Sequence, residues 1–226
     1  MSIFHTEPVH CGACGTELQF RLVHSVNADR RPDLREAILS GAFQVQPCPT
    51  CELDVRPEPA FTYLDQELGL WIRALPVDRA PAWASFEEET LTLYGKTFGD
   101  PRSAAAAIGD HLKARMTFGW AAVREKILCA QHGFDDATLE MVKAAAVRSS
   151  PRPPVDDNVE LRLDGVTDEL LGLAWLSGPE EVFLEALAVP RALVEQIEAA
   201  PETWAELRAA VSAGPFVDIN RALMAS

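Results

Sequence analysis

Two cysteine pairs, Cys11-Gly12-Ala13-Cys14 and Cys48-Pro49-Thr50-Cys51, are the residues of this 226-residue chain best suited to chemistry. Two residues separate the sulfurs in each pair. That spacing lets one tight turn aim both thiolates at a single ion while backbone N–H groups stabilise the negative sulfur. Two such turns supply the four ligands of a tetrahedral site, so Cys11, Cys14, Cys48 and Cys51 are the candidate metal ligands. Gly15 follows the first pair, where a left-handed backbone is cheap, and Pro49 presets the second turn. Glu52 takes the place matching Gly15, at greater conformational cost.

Other chemistries share this spelling. A thioredoxin-like redox pair needs one Cys-x-x-Cys at a helix N-terminus after a strand, whereas both pairs here lie in turn-forming contexts. Two disulfides would suit a secreted chain, but residues 1–8 hold neither a basic leader nor an apolar stretch of signal-peptide length. A tetrathiolate iron site resembles the loops of rubredoxins, and spacing does not separate iron from zinc. Thr16 nevertheless stands where rubredoxins usually carry an aromatic residue, and the chain is several times longer. Structural zinc is the expected cofactor, with iron as the alternative.

Composition bounds the rest. Apolar residues make up 48% and charged residues 24%, which is ordinary for a soluble globular protein and excludes disorder for the bulk of the chain. The net charge of −14 opposes attraction to phosphate backbones and anionic membranes, so neither nucleic acid nor a membrane is an expected partner. No run reaches transmembrane length, and the expected location is the cytoplasm, where thiols stay reduced. Cys129, the fifth cysteine, falls in a helical pattern and reads as a small core residue.

The elements that must position the cysteines follow from periodicity. Residues 18–26 read as a strand leaving the first turn, with Phe20, Leu22 and Val26 on one face. Pro32 opens a short helix over residues 32–40 that Gly41 stops, and Phe43 and Val45 form the strand returning to Cys48. A metal bound by both pairs closes this long loop, so its binding energy becomes folding energy. Residues 60–64 and 68–75 read as strands joined by a turn at 65–67, and Phe61, Tyr63 and Trp71 read as core. Residues 76–84 read as loop, and Glu87-Glu88-Glu89 as a solvated face. Asp100-Pro101 is expected to open a helix running through Ala104–Ala107 toward Arg115. Trp120, Val123 and Ile127 repeat at helical spacing until Gly133, and Asp135 and Asp136 cap a further helix lined by Leu139, Val142 and Ala146.

These features together resemble the CpXC-domain family of bacteria and archaea. The likeness rests on the two cysteine turns, the Pro32-Asp33-Leu34-Arg35-Glu36-Ala37-Ile38-Leu39-Ser40-Gly41 helix and Tyr63-Leu64-Asp65. It extends to Arg124-Glu125-Lys126-Ile127 and Gly133-Phe134-Asp135-Asp136. It covers about residues 8–143, and the family's cysteine motifs carry onto Cys11, Cys14, Cys48 and Cys51, with Gly12 where proline would stand. The resemblance implies the metal and the fold of that stretch; it carries no activity with it.

Ser149-Ser150-Pro151-Arg152-Pro153-Pro154 reads as a linker. The expected organisation is a CpXC-like domain over 1–148 with its four-cysteine site, a linker over 149–154, and a small acidic α+β domain over 155–226 beginning near Val155. The fold class is therefore α+β, with a zinc-ribbon-like module built into the first domain. In the second, Val159, Leu161 and Leu163 alternate, residues 170–176 and 182–189 supply further strands, and Pro190 and Pro201 open two helices. Residues 150–226 hold 14 acidic and 5 basic residues against 20 and 15 before them, a bias that either meets a basic protein surface or serves solubility.

No HExxH, GxSxG, phosphate-loop or dinucleotide pattern is present, so the common motif-bearing enzyme classes lack support and no catalytic residue is assigned. His10 abuts Cys11, and His132 stands near Asp135 and Asp136; both read as surface or helix-end residues. The expected function is a cytoplasmic zinc-binding protein whose surfaces meet another protein; the alternatives are a rubredoxin-like iron electron carrier and an enzyme whose site leaves no local motif.

Overall fold

The computed structural model describes residues 1–154, 156 and 158–224, with the backbone alone for 223 and 224. Val155, the expected start of the second unit, lies outside the described residues. The fold is mixed α+β. Its larger sheet has five strands in the order β1-β2-β5-β6-β7, where β1 is Ile3–His10, β2 Glu17–Asn27, β5 Phe61–Asp65, β6 Leu70–Leu75 and β7 Lys113–Phe118. Two short strands, β3 (Gln46–Pro47) and β4 (Asp54–Val55), form a separate hairpin. A three-stranded antiparallel sheet, ordered β10-β9-β8, comprises β8 (Val159–Val166), β9 (Leu170–Ser177) and β10 (Val182–Pro190).

The β2–β5 and β6–β7 pairs are parallel, and such pairs need crossover connections. Helix α1 (Pro32–Leu39) lies in the first connection, while α2 (Trp83–Phe98) and α3 (Ala104–Gly109) lie in the second. Helix α4 (Gly119–Gln131) packs on the large sheet, where Trp120, Val123 and Ile127 meet Val23, Tyr63 and Ile72 in the central core. Phe61, Tyr63 and Trp71 are all buried, in keeping with their core reading.

Helix α4 stands between the two sheets, packing on β6 and β7 of the larger and β8 of the smaller, and helix α5 (Asp136–Ser149) lies beside it. Its Leu139, Met141, Val142 and Ala146 pack with Leu161, Leu163, Leu171 and Trp175, and with α6 (Ala192–Ala199) and α7 (Pro201–Val211), so this cluster takes in residues from both sides of the Pro-rich segment. A last short helix, α8 (Ile219–Met224), follows.

Four local expectations are corrected. Residues 1–8, read only for targeting, mostly belong to the edge strand β1, whose largely exposed side chains give no core periodicity. Phe43 and Val45 do not form a strand. Gln44 between them has φ 57°, and its amide accepts from Val23 N and donates to Arg21 O, both at 3.0 Å, so a side chain takes the pairing groups of β2 just before the β5 ladder begins at Ser25. Helix α3 is capped by Ser103, not Asp100. It ends at Gly109, where an added Cβ would stand 2.5 Å from Phe98, and Arg115 lies in strand β7. Residues 77–82 form a 3-10 turn leading into α2, which places Glu87 within the helix, half-buried.

Candidate metal centre

Each cysteine pair sits at the tip of an antiparallel hairpin. The first turn joins β1 to β2 and the second joins β3 to β4. The two turns share one hydrogen-bond pattern. Cys11 N donates to Thr16 O at 2.9 Å and Gly15 N to Cys11 O at 2.8 Å; in the second turn Cys48 N donates to Leu53 O at 2.8 Å and Glu52 N to Cys48 O at 2.9 Å. Gly15 and Glu52 are both left-handed, with φ of 73° and 62°, as their matching places in the sequence require.

The four sulfurs converge, all within 4.8 Å of one another, and no disulfide joins them. Cys11 Sγ lies 3.7 Å from Cys51 Sγ, and Cys14 Sγ lies 3.6 Å from Cys48 Sγ. A tetrahedron with metal–sulfur bonds of about 2.3 Å has edges of about 3.8 Å, so these separations fit a four-coordinate metal. Thr16 Oγ1 donates to Thr50 Oγ1 at 3.0 Å and lies 3.3 Å from Cys14 Sγ, tying one turn to the other. Sequence reading singled out neither threonine as part of the site. Leu18, Phe20, Leu22 and Val55 form the apolar backing of Cys11 and Cys48.

The electrostatics favour a cation. The hydroxyl and backbone N–H of Thr16 bring Cys14 down to about 6, and the backbone N–H groups of Cys51 and Thr50 lower Cys48. The Leu53 N–H pulls Cys51 the same way, but burial and the three neighbouring sulfurs push it up to about 12. A divalent metal supplies the positive charge that lets all four ionise together. His10 stays outside the cluster, exposed, with Nε2 3.9 Å from Glu17. His132 stacks on Phe134 instead of joining the two aspartates. Asp135 caps α5, and Asp136 is ion-paired with Arg115 at 2.6 Å and Lys126 at 3.0 Å.

Beyond the second turn, Trp120 Nε1 donates to Pro57 O at 3.1 Å, and Arg56 pairs with Glu181 at 2.9 Å. Arg124 of α4 meets the same carboxylate oxygen at 2.6 Å. The metal hairpin is thereby fastened both to α4 and to the turn between β9 and β10.

A second polar assembly, unseen in the sequence, lies under α4 and α5. Glu125, Glu140 and Lys143 are fully buried, and Lys126, Arg162 and Asp218 nearly so. Lys143 Nζ lies 2.7 Å from Glu125 and 3.0 Å from Glu140, while Arg162 contacts Asp218 at 2.5 Å and Glu125 at 3.3 Å.

The cysteine cluster and mixed α+β fold define a protein with a four-sulfur centre able to bind a metal. A family model for CpXC protein matches residues 9–143, and the chain belongs to the CpXC family. Searches among curated proteins and among solved structures find no match. No helix among the described residues is long and apolar enough to cross a membrane.

Proposed function

We infer that Cys11, Cys14, Cys48 and Cys51 hold one zinc ion in a structural, zinc-ribbon-like site, and that the protein is a cytoplasmic interaction module whose partner is another protein. The observation that carries the metal reading is the convergence of four reduced sulfurs from two matched hairpin tips. All four coordination positions are filled by cysteine, a closed set typical of structural zinc and leaving no open position for a substrate. The ion's role would be to close the loop between residues 14 and 48 and to hold the β3–β4 hairpin against the β1–β2 hairpin.

The interaction reading draws support from a net charge of −14, which disfavours phosphate contacts, and from the lack of a recognisable catalytic constellation in the sequence. Elemental analysis of protein purified without added metal is the test. One zinc per chain and a colourless protein agree with the proposal; iron, with the absorption of a ferric tetrathiolate, would replace the structural reading with electron transfer. For the partner, titration with DNA and RNA at low salt should show no salt-sensitive binding.

A further inference from the structure

The segment from Gly214 to Arg221 lies outside the family-matched stretch, yet most of what holds it belongs to that stretch. Met116 N, in the edge strand β7, donates to Pro215 O at 2.9 Å. Phe216 N donates to Glu87 Oε1 at 3.2 Å, Lys126 Nζ donates to Val217 O at 2.5 Å, and Ile219 N donates to Glu140 Oε2 at 2.9 Å. Main-chain groups of residues 215, 216, 217 and 219, the last opening α8, are thus met by β7, α2, α4 and α5 in turn. The Asp218 carboxylate turns instead to Arg162, beyond the family-matched stretch.

Side chains supply selectivity. The Phe216 ring, 3% exposed, packs against Leu75, Met116 and Phe118, its centroid 5.2 Å from that of Phe118 and 5.8 Å from that of Trp83. A Cβ at Gly214 would push aside the Glu87 carboxylate, the group that accepts from Phe216 N and pairs with Arg221, so a larger residue there would disturb both contacts. Arg221 lies over Trp83, 4.5 Å from the ring centroid, and pairs with Glu87. Main-chain hydrogen bonds combined with a buried aromatic anchor are means by which grooves recognise peptide segments.

We propose that this groove is a peptide-recognition site for a protein segment of the pattern Gly-Pro-Phe-Val-Asp-x-x-Arg that bends at its proline and turns helical after its aspartate, and that residues 214–221 occupy it in cis. The proposal rests on the interaction-module reading and names the partner's chemistry: a flexible segment with a buried aromatic anchor, next to a carboxylate, that displaces the internal copy. An intramolecular occupant competes at an effective concentration in the millimolar range, so the free groove is masked until the internal segment is weakened.

The test uses the full chain and a fluorescent peptide of residues 213–222, followed by anisotropy. Phe216→Ala in the chain should raise affinity for the peptide at least tenfold over wild type, and a peptide with its own phenylalanine replaced by alanine should lose it. A second variant carries a protease site between Ser212 and Ala213, cut after folding; excess labelled peptide should then exchange with the cleaved segment. Failure of peptide to bind the Phe216→Ala chain, when its circular dichroism and metal content match wild type, overturns the proposal. If that variant does not fold, the cleaved chain decides, and retention of its segment without exchange overturns the proposal. Both assays report on the groove itself, so an absence of cellular partners in a native pull-down would defeat the interaction-module reading without altering them.

Discussion

Glu125 on α4 receives the Lys143 ammonium of α5 at 2.7 Å with both side chains fully buried, and its other oxygen accepts Leu163 N of β8 at 2.7 Å. One carboxylate therefore joins two helices and covers the outer edge of the three-stranded sheet. Glu125 is drawn down despite burial by Lys143, Arg162 and Lys126.

Lys143→Met tests this junction. Removing one partner from a buried pair leaves an uncompensated charge and typically costs about 3–5 kcal/mol. The variant should lose stability of that order in urea denaturation. A loss below about 1 kcal/mol would mean that water or rearrangement satisfies Glu125 and Glu140 without the lysine.

The same assembly predicts an unusual response to pH. Burial, reinforced by Asp218 and Glu125, outweighs Lys143 and Lys126 and raises Glu140 to about 7. Between that value and the ordinary carboxylate value the folded state binds a proton that the unfolded state does not, so this group adds stability as pH falls from about 7 toward 4.5. Asp218 acts in the opposite direction. Burial raises it, but Arg162 and Lys143 prevail and bring it to about 2, so the stability it contributes above pH 3.8 is lost as pH falls through about 2. The denaturation midpoint should be higher at pH 5 than at pH 7.5, and Glu140→Gln should remove much of the difference. An unchanged difference in that variant would place the effect elsewhere, for example in relief of overall charge repulsion.

Local patterns in the sequence foretold much of this architecture, because β2, α1, β5, β6, α4 and α5 bury regularly spaced apolar side chains. The cysteine turns were legible for a related reason: their geometry is written in five consecutive residues. β1 was missed because an exposed edge strand has no buried face to mark, and the loop at Gln44 because a side chain does the work of a strand there. The ion assembly was illegible on different grounds. Its partners are far apart in the chain, 37 residues between Glu125 and Arg162 and 91 between Lys126 and Val217, and each charge taken singly looks like surface.

Glu52 offers a test of backbone strain at the metal centre. Its φ of 62° matches the 73° of Gly15 in the sister turn, but a side chain in this region costs about 1–2 kcal/mol. Glycine at position 52 would remove that cost while making the unfolded chain about 0.5–1 kcal/mol more favourable. Glu52→Gly should therefore stabilise the protein by up to about 1 kcal/mol with unchanged metal content, measured by thermal denaturation. A clear loss of stability would mean that the Glu52 side chain contributes something the strain argument omits.

The segment joining the two sheets gives the last test. Arg148 is exposed at the end of α5 and is followed by Pro-rich chain, so limited trypsin digestion of the native protein should cut after it and yield fragments 1–148 and 149–226. Cutting should not separate them. On one side of the cut lie Leu139, Met141 and Val142; on the other lie Leu163, Leu171 and Trp175, all packed in one cluster. The Arg162–Glu125, Arg221–Glu87 and Arg56–Glu181 pairs also cross the cut. The fragments should elute together on gel filtration in physiological buffer and part only when denaturant opens the shared core. Elution as two separate folded species would show instead that residues after 148 form an independent domain whose contacts with α4 and α5 are dispensable.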